Sequence, residues 1–393
     1  MILLGINILY FFFFALASLF PLRLRLRENG EYKRIIVLIP GYKEDSVIID
    51  VAIDALKQEY PQDQYDVAVI ADSFKESTIT KLKELPIRLI EVSFENSTKA
   101  KALNRAMSVL PNDYDIAVVL DADNIMAPNF LSQVNSFFAA KLSCAVQGHR
   151  VAKNINTPFA VLDAISEEVN NRLFRKGHSV LKLSASIIGS GVAFDYPYFK
   201  NIMMQMKAVS GYDKELEIEL LRNKHRVYYL PDALVYDEKI QNAEAFSKQR
   251  RRWLFSQFYY FRIAFFDALK RLFVSGNIDY FDKVFQWILL PRIIVIGMMG
   301  MLAPLFIILE WLIFHNAYMI PAWITLFCIL IITFLVAIPG KFYNMQTLQA
   351  IRQIPKGLWL MFKNFFMLKG TNKTFIHTSH GTSEGDSKDT VVR

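Results

Sequence analysis

Between residues 34 and 121 the apolar residues switch repeatedly between a period of two and a period of 3.6. This alternation restricts the fold more than any other feature of the chain. Strand-type runs fall at residues 34–39, 66–70 and 87–92, and in the run Val118-Val119-Leu120 that ends at Asp121. Helix-type runs fall at 46–59, 76–85 and 99–109. The pattern predicts a mostly parallel sheet with helices on both faces. Such a sheet binds ligands at the carboxyl ends of its strands. Those ends carry Tyr42 and Glu44, then Asp72, then Asp121 and Asp123. Loop ends are commonly polar, but repetition on one sheet edge predicts a nucleotide cleft.

Asp121-Ala122-Asp123 closes the last of these strands. Alternate residues of a strand point the same way, so both carboxylates would face one ligand. Hard oxygen ligands suit Mg²⁺ or Mn²⁺, shared with the phosphates of a substrate. Solvated strand-end turns carry the same pattern, so its weight depends on the motifs downstream. No GxxxxGK[ST] loop is present, which excludes an ATPase-type phosphate cradle. Phosphate charge must then be met by a metal and by cationic side chains.

The second half adds polar clusters. Residues 144–151 read as a strand, and a helical stretch at 158–175 carries Glu167, Glu168 and Asn171. Gly189-Ser190-Gly191 comes next, where small residues let the backbone approach a ligand or simply turn tightly. Asp213-Lys214-Glu215-Leu216-Glu217 opens a helix running to about residue 223, where acids also favour the helix dipole. Gln249-Arg250-Arg251-Arg252-Trp253 lies in an amphipathic stretch. Gln249 and Trp253, four residues apart, share a helix face that Arg250 and Arg252 do not.

Composition places part of the chain in a membrane: 53% of residues are hydrophobic and 32 are Phe. Residues 1–22 carry no charge, and residues 2–20, almost wholly apolar and rising ~1.5 Å each, roughly match a bilayer core of ~30 Å. A cleaved signal peptide would begin with a basic stretch, and none precedes the apolar run. Arg23, Arg25, Arg27, Lys33 and Arg34 come directly after, which puts the amino terminus outside and the next domain in the cytoplasm. Residues 289–314 and 316–340 read as two further spans joined by a turn without Lys or Arg. Lys341, Arg352, Lys356, Lys363 and Lys369 then return the chain to the cytoplasm. Glu310 falls near the outer interface. Residues 262–273 and 355–368 read as interfacial helices, and the polar tail as disordered, with His377 and His380 solvated rather than metal-bound. The net charge of +8 lies beside apolar segments, which suits an anionic membrane surface and not nucleic acid. Cys144 and Cys328 fall in a strand and a membrane helix, so no disulfide is expected.

Taken in order, these motifs resemble the inverting family-two glycosyltransferases, across about residues 34–260. Pro40 to Glu44 looks like their Pro-x-Tyr-x-Glu start, and Asp72 like their second strand-end Asp. Lys99-Ala100-Lys101-Ala102-Leu103-Asn104 resembles their Lys-Ala-x-Ala-Leu-Asn segment, and Asp121-Ala122-Asp123 their metal motif. Gln249 to Trp253 matches the Gln-x-x-Arg-Trp motif of cellulose, hyaluronan and poly-N-acetylglucosamine synthases and of ceramide glucosyltransferase. The resemblance implies an α/β fold: a GT-A (Rossmann-like) cytoplasmic domain with interfacial and transmembrane α-helices. It implies that Tyr42, Glu44, Asp72 and Lys99 hold the uridine, that Asp121 contacts the nucleoside, and that Asp123 ligates Mg²⁺ or Mn²⁺ on the diphosphate. Gly189, Ser190 and Gly191 would lie under the acceptor sugar. Gln249, Arg252 and Trp253 would complete the donor site, with Arg252 on the diphosphate and Trp253 also stacked on the acceptor.

The family base is the second residue of an acidic pair, which falls on Asp213, with Glu215 in reserve; the preceding acid is Tyr212 here. The expected division is an anchor at 1–22, a catalytic domain at 32–260, interfacial helices at 261–285, two spans within 289–340, interfacial helices at 341–370 and a tail at 371–393. The expected function is hexosyl transfer from a UDP-sugar (glucose or N-acetylglucosamine type) to an acceptor hydroxyl in polysaccharide synthesis, at the plasma (inner) membrane. An accessory export subunit or a second copy would help form a channel. The alternatives are transfer of one sugar to a membrane lipid, or a non-enzymatic membrane scaffold. No residue names the sugar, the linkage or the acceptor.

Overall fold

The computed structural model describes residues 1–366 apart from residues 25, 27–29, 207–210 and 317. Eight strands form one sheet: β1 Ile35–Tyr42, β2 Tyr65–Asp72, β3 Arg88–Val92, β4 Ile116–Val119, β5 Ile125–Met126, β6 Ala145–Ala152, β7 Val192–Asp195 and β8 Val227–Asp237. Their spatial order is β3-β2-β1-β4-β7-β6-β8-β5. The first four are mutually parallel, as the alternating periods predict. The sheet as a whole is mixed, because β7 is antiparallel to both β4 and β6 and β5 is antiparallel to β8. β7 escapes the periodicity argument because its four residues come directly after the glycine loop. β8 hides behind Pro231, which the sheet tolerates because the register against β6 shifts between Gly148 and His149.

The alternation of side chains along β1 explains the two cores. Ile36 and Leu38 pack into one, beneath the helix Lys99–Val109. Ile35, Val37 and Ile39 pack into the other, beneath Ile48–Ala55 and Phe130–Ala139. These side chains are fully buried, so each contributes on the order of 1.5–3 kcal/mol. β4 stops at Val119, and Asp121 to Asn124 form a turn that delivers the chain to β5. The expectation that both carboxylates extend one strand is therefore corrected: their directions are set by a turn, not by strand pleat.

The Gln249–Trp253 motif lies in one helix, Ala243–Ser275, which runs without a break through the boundary expected at residue 260. Its successor Ile278–Gln286 packs back on it. Among the described residues, two helices are long and apolar enough to cross a membrane, Arg292–Phe314 and Met319–Ala337. The amino-terminal helix Ile2–Ala17 has 16 residues and spans only ~24 Å at ~1.5 Å each. It packs against Met319–Ala337, with Leu4, Ile8, Phe11 and Ala15 buried and Ile2, Ile6, Leu9, Phe13 and Leu16 exposed. Met345–Ile351 and Ile354–Phe366 come after the last long helix. Cys144 and Cys328 are free thiols. The tail at 371–393, with His377 and His380, lies outside the described residues.

Glu168 joins the sheet domain to the segment after the last long helix. Its carboxylate bonds His149 Nε2 at 3.1 Å and Lys341 Nζ at 2.8 Å. Burial alone would raise its pKa, but the two partners outweigh burial and hold it at about 2. A depressed carboxylate stabilises the fold fully above its ordinary value of 4.5, and that contribution fades as pH falls towards about 2. We therefore expect Glu168→Gln to lower stability at pH 7 by about 1–3 kcal/mol. Thermal unfolding in detergent should also show the difference between variant and wild type shrinking below pH 4.5.

Candidate active site

The polar strand edge is built by strand register. Tyr42 and Asp72 sit side by side at the ends of β1 and β2. Each strand then leaves through a residue in the left-handed region, Lys43 at φ 55° and Ser73 at φ 59°. Asp72 is buried and accepts a hydrogen bond from the Ser73 hydroxyl at 3.0 Å. Glu44 is buried beside it, and Pro40, Gly41, Tyr42, Glu44 and Asp72 all line one cavity of about 1400 Å³.

The turn at Asp121 to Asn124 is held from both sides. Lys99, first residue of its helix, donates to Asp121 Oδ1 and, at 2.7 Å, to the Gly189 carbonyl. The Ser190 hydroxyl accepts from the Asp121 amide at 2.8 Å and donates to Asn124 Oδ1. Asn124 Nδ2 reaches Asp123 Oδ1 at 3.2 Å and Asp237 Oδ1 at 3.0 Å. Gln147 secures the glycine loop through the Ser190 and Gly191 carbonyls at 2.9 and 3.0 Å and the Ile188 amide at 3.0 Å. Gly189 faces the cavity, whereas the fully buried Ser190 spends its hydroxyl on the aspartate turn. Sequence reasoning does not single out Asn124 or Gln147. Asn124 is adjacent to the acidic pair, but only the fold gives its amide two carboxylates to join.

Asp213 lies in the first turn of the helix Tyr212–Arg222 and lines the cavity, with Lys214 Nζ 3.5 Å from its carboxylate. Tyr212, in place of the usual acid, donates its hydroxyl to the Gly189 carbonyl and lies under the Lys99 ammonium at 5.3 Å. It ties this helix to the loop that positions Asp121. Glu215 accepts from the Tyr260 hydroxyl at 3.3 Å, so the reserve carboxylate is engaged outside the cavity wall. Gly211 enters the helix at φ 72°, and a Cβ there would lie 2.1 Å from the Ser256 hydroxyl. Only glycine allows both the left-handed entry and the close approach of the helix Ala243–Ser275.

That long helix supplies Gln249, Arg250, Arg252, Trp253 and Leu254 to the same cavity. Burial pushes the Arg252 guanidinium below its usual range against the opposing pull of Asp121 and Asp213, so all three share one field. Arg250 also lines the cavity. It pairs with Asp163 and lies over the Trp253 ring at 4.6 Å. Gln249 Oε1 is buried without a hydrogen-bond partner among the described residues. Beyond these, the cavity wall holds a buried network not foreseen in the sequence. Glu167 bonds Arg150 at 2.9 Å and Arg175 at 3.0 Å. Asp237 pairs with Lys239 at 2.6 Å and Arg150 at 3.5 Å. Burial alone would raise Glu167, yet Arg150 and Arg175 hold it well below the usual carboxylate range.

The donor atoms near the turn are carboxylate oxygens, and no cluster of three His, Cys, Asp or Glu exists among the described residues. One or two carboxylates with open positions suit Mg²⁺ or Mn²⁺, which keep most of their octahedron for phosphate and water. The residues fit such an ion when a diphosphate accompanies it.

Comparison with known proteins agrees with this geometry. The chain is 24% identical over 239 residues to a beta-monoglucosyldiacylglycerol synthase of Trichormus variabilis, covering 59% of this chain and 51% of that protein. It is 23% identical over 268 residues to the probable glycosyltransferase YdaM of Bacillus subtilis, covering 65% and 63%. The chain thus spans about half to two thirds of the length of these relatives. A mannosyltransferase from Pyrobaculum calidifontis, solved with GDP-Man and Mn²⁺, superposes with a TM-score of 0.52 at 16% identity over 83% of this chain and 93% of its own. It shares the fold. The sequence model of the family described as glycosyltransferase like family 2 matches residues 33–256. The chain therefore belongs to glycosyltransferase family 2, with a GT-A domain.

Proposed function

We propose that this protein transfers a single hexose from a UDP-sugar to a hydroxyl of a membrane lipid, with inversion at the anomeric carbon. One observation carries the choice of a lipid. The cavity that contains Asp72, Asp121 and Asp213 continues past Trp253 to Ile296, Gly300, Phe327 and Leu330, on the two long apolar helices. Those helices expose Met301, Leu305 and Ile308, and Ile324, Ile331 and Leu335, as lipid-facing surfaces would. Two relatives are themselves named beta-monoglucosyldiacylglycerol synthase. In this reading the catalytic domain faces the cytoplasm and the short helix Ile2–Ala17 lies alongside the spans.

Tyr42, Glu44, Asp72 and Lys99 would hold the uridine end of the donor. Asp213 takes the proton of the acceptor hydroxyl as its oxygen attacks the anomeric carbon, and the bond to the diphosphate breaks on the opposite face. Arg252 presents a planar fork to the departing diphosphate in a site shielded from water. Asp123, with Asp121 beside it, would hold a divalent ion, which when bound neutralises diphosphate charge. Gln249 and Trp253 orient the sugar, and Gly189 offers backbone to the acceptor.

The test is UDP release by purified protein in lipid nanodiscs, with a panel of UDP-sugars and with membrane lipid extract, the products separated by gel and lipid chromatography. A single glycolipid is expected, and a ladder of long products would replace this reading with chain elongation. Asp213→Asn should lower turnover by about 10²–10⁴-fold with nucleotide affinity retained. Arg252→Lys, which keeps charge but loses the fork, should lower it by about 10²-fold. In Asp123→Asn the response of turnover to added Mn²⁺ should be lost, as read from a metal titration.

A further inference from the structure

The cavity contains a guanidinium that the glycosyl-transfer chemistry does not use. Arg292 is the first residue of the helix Arg292–Leu309. Its Nη2 donates to the carbonyl and hydroxyl oxygens of Ser166 at 3.0 and 3.1 Å. Its Nη1 is buried and has no hydrogen-bond partner among the described residues. Glu167 lies within electrostatic reach but is bonded to Arg150 and Arg175. Asp163 is taken by Arg250. Arg292 therefore forms no ion pair among the described residues, while Arg250 and Arg175 repel it. The Nε of Arg250 is a second buried donor without a partner in the same cavity wall.

A buried cation with an open donor, set against like charge, is unfavourable unless an anion completes the site. The surface beyond Arg292 identifies the kind of anion. Ile293, Ile296 and Gly300 continue its helix along the cavity wall, facing Phe327, Leu330 and Phe334. A cationic donor pair stands at the mouth of an apolar groove between two helices of membrane-spanning length.

We propose that Arg292, with Arg250 beside it, binds the anionic headgroup of a membrane lipid whose chains lie in this groove. The inference rests on the lipid-acceptor reading and narrows it, because the amphiphile that occupies the acceptor half carries a phosphate or another anion. Arg292 is a specificity residue here and acts on no reacting atom.

The test measures binding and not turnover, so that it can fail independently of the acceptor reading. Purified full-length protein in maltoside micelles is titrated with dioctanoyl phosphatidic acid, dioctanoylglycerol and inorganic phosphate, and bound species are counted by native mass spectrometry. Wild type should bind phosphatidic acid at least about tenfold more tightly than dioctanoylglycerol. Arg292→Met should lose that preference, and Arg292→Lys should keep most of it. UDP affinity, measured in all three proteins, reports on intact folding of the donor site. Equal affinity for the two lipids overturns the proposal, as does an undiminished preference in Arg292→Met. Occupancy by inorganic phosphate equal to that by phosphatidic acid would assign the site to a free anion and overturn the lipid.

Discussion

The Lys99 ammonium, shared between Asp121 and the Gly189 carbonyl, is the interaction on which the rest of the site depends. Asp121 comes after the parallel half of the sheet, and Gly189 precedes the antiparallel β7 that joins this half to β6 and β8. One charged bond therefore joins the strand-end edge that carries Asp121 to the loop before β7. The Ser190 hydroxyl on the Asp121 amide and the Tyr212 hydroxyl on the Gly189 carbonyl extend it. Through Tyr212 the same knot reaches the helix that carries Asp213. The carboxylates proposed to contact nucleoside, metal and acceptor are thus placed by one connected set of hydrogen bonds, and such preorganisation is what electrostatic catalysis requires.

A second network runs along the helix Pro158–Asn170 and faces the long apolar helices. Asp163, Glu167 and Glu168 each meet a cation: Arg250 from the long helix, Arg150 from β6 and Arg175 from the helical segment Asn171–Gly177 that directly follows Pro158–Asn170, and Lys341 from beyond the last long apolar helix. Buried ion pairs are weak contributors to net stability, but they penalise any arrangement that separates them. Here they fix the angle between the catalytic domain and the long apolar helices, and so keep the cavity continuous. Arg292 stands at the edge of this network without a carboxylate of its own.

Much of the site is legible because its chemistry comes in local strings. Tyr42, Glu44, Asp72, Lys99, Asp121, Asp123 and Asp213 mark strand ends and helix starts, where the hydrophobic period changes and polar residues take over. All of them line the cavity. The choice of Arg252 over Arg250 rests on its register in the Gln-x-x-Arg-Trp motif, and both arginines line the cavity. The mixed sheet is not legible: β5 and β7 have two and four residues, too few for a period. The aspartate turn reads as strand for a similar reason. Val119 ends the ladder because β7 pairs no further, and only pairing, not propensity, ends it there.

The sequence by itself determined the alternating α/β domain, the acidic strand ends, the aromatic and cationic motif before the long apolar segments, and the membership in a glycosyltransferase family that those motifs imply. Each is written in neighbouring residues, through side-chain periodicity or fixed spacing. The tertiary structure alone decided that Ser190 serves the aspartate turn, that Tyr212 binds the glycine loop, and that Glu167 neutralises two arginines. It also decided that one cavity joins Asp213 to the groove beyond Arg292. The hydrogen-bonded partners lie 8 to 69 residues apart, and an ion pair or a shared cavity depends on distance in space, which periodicity and motif spacing do not encode.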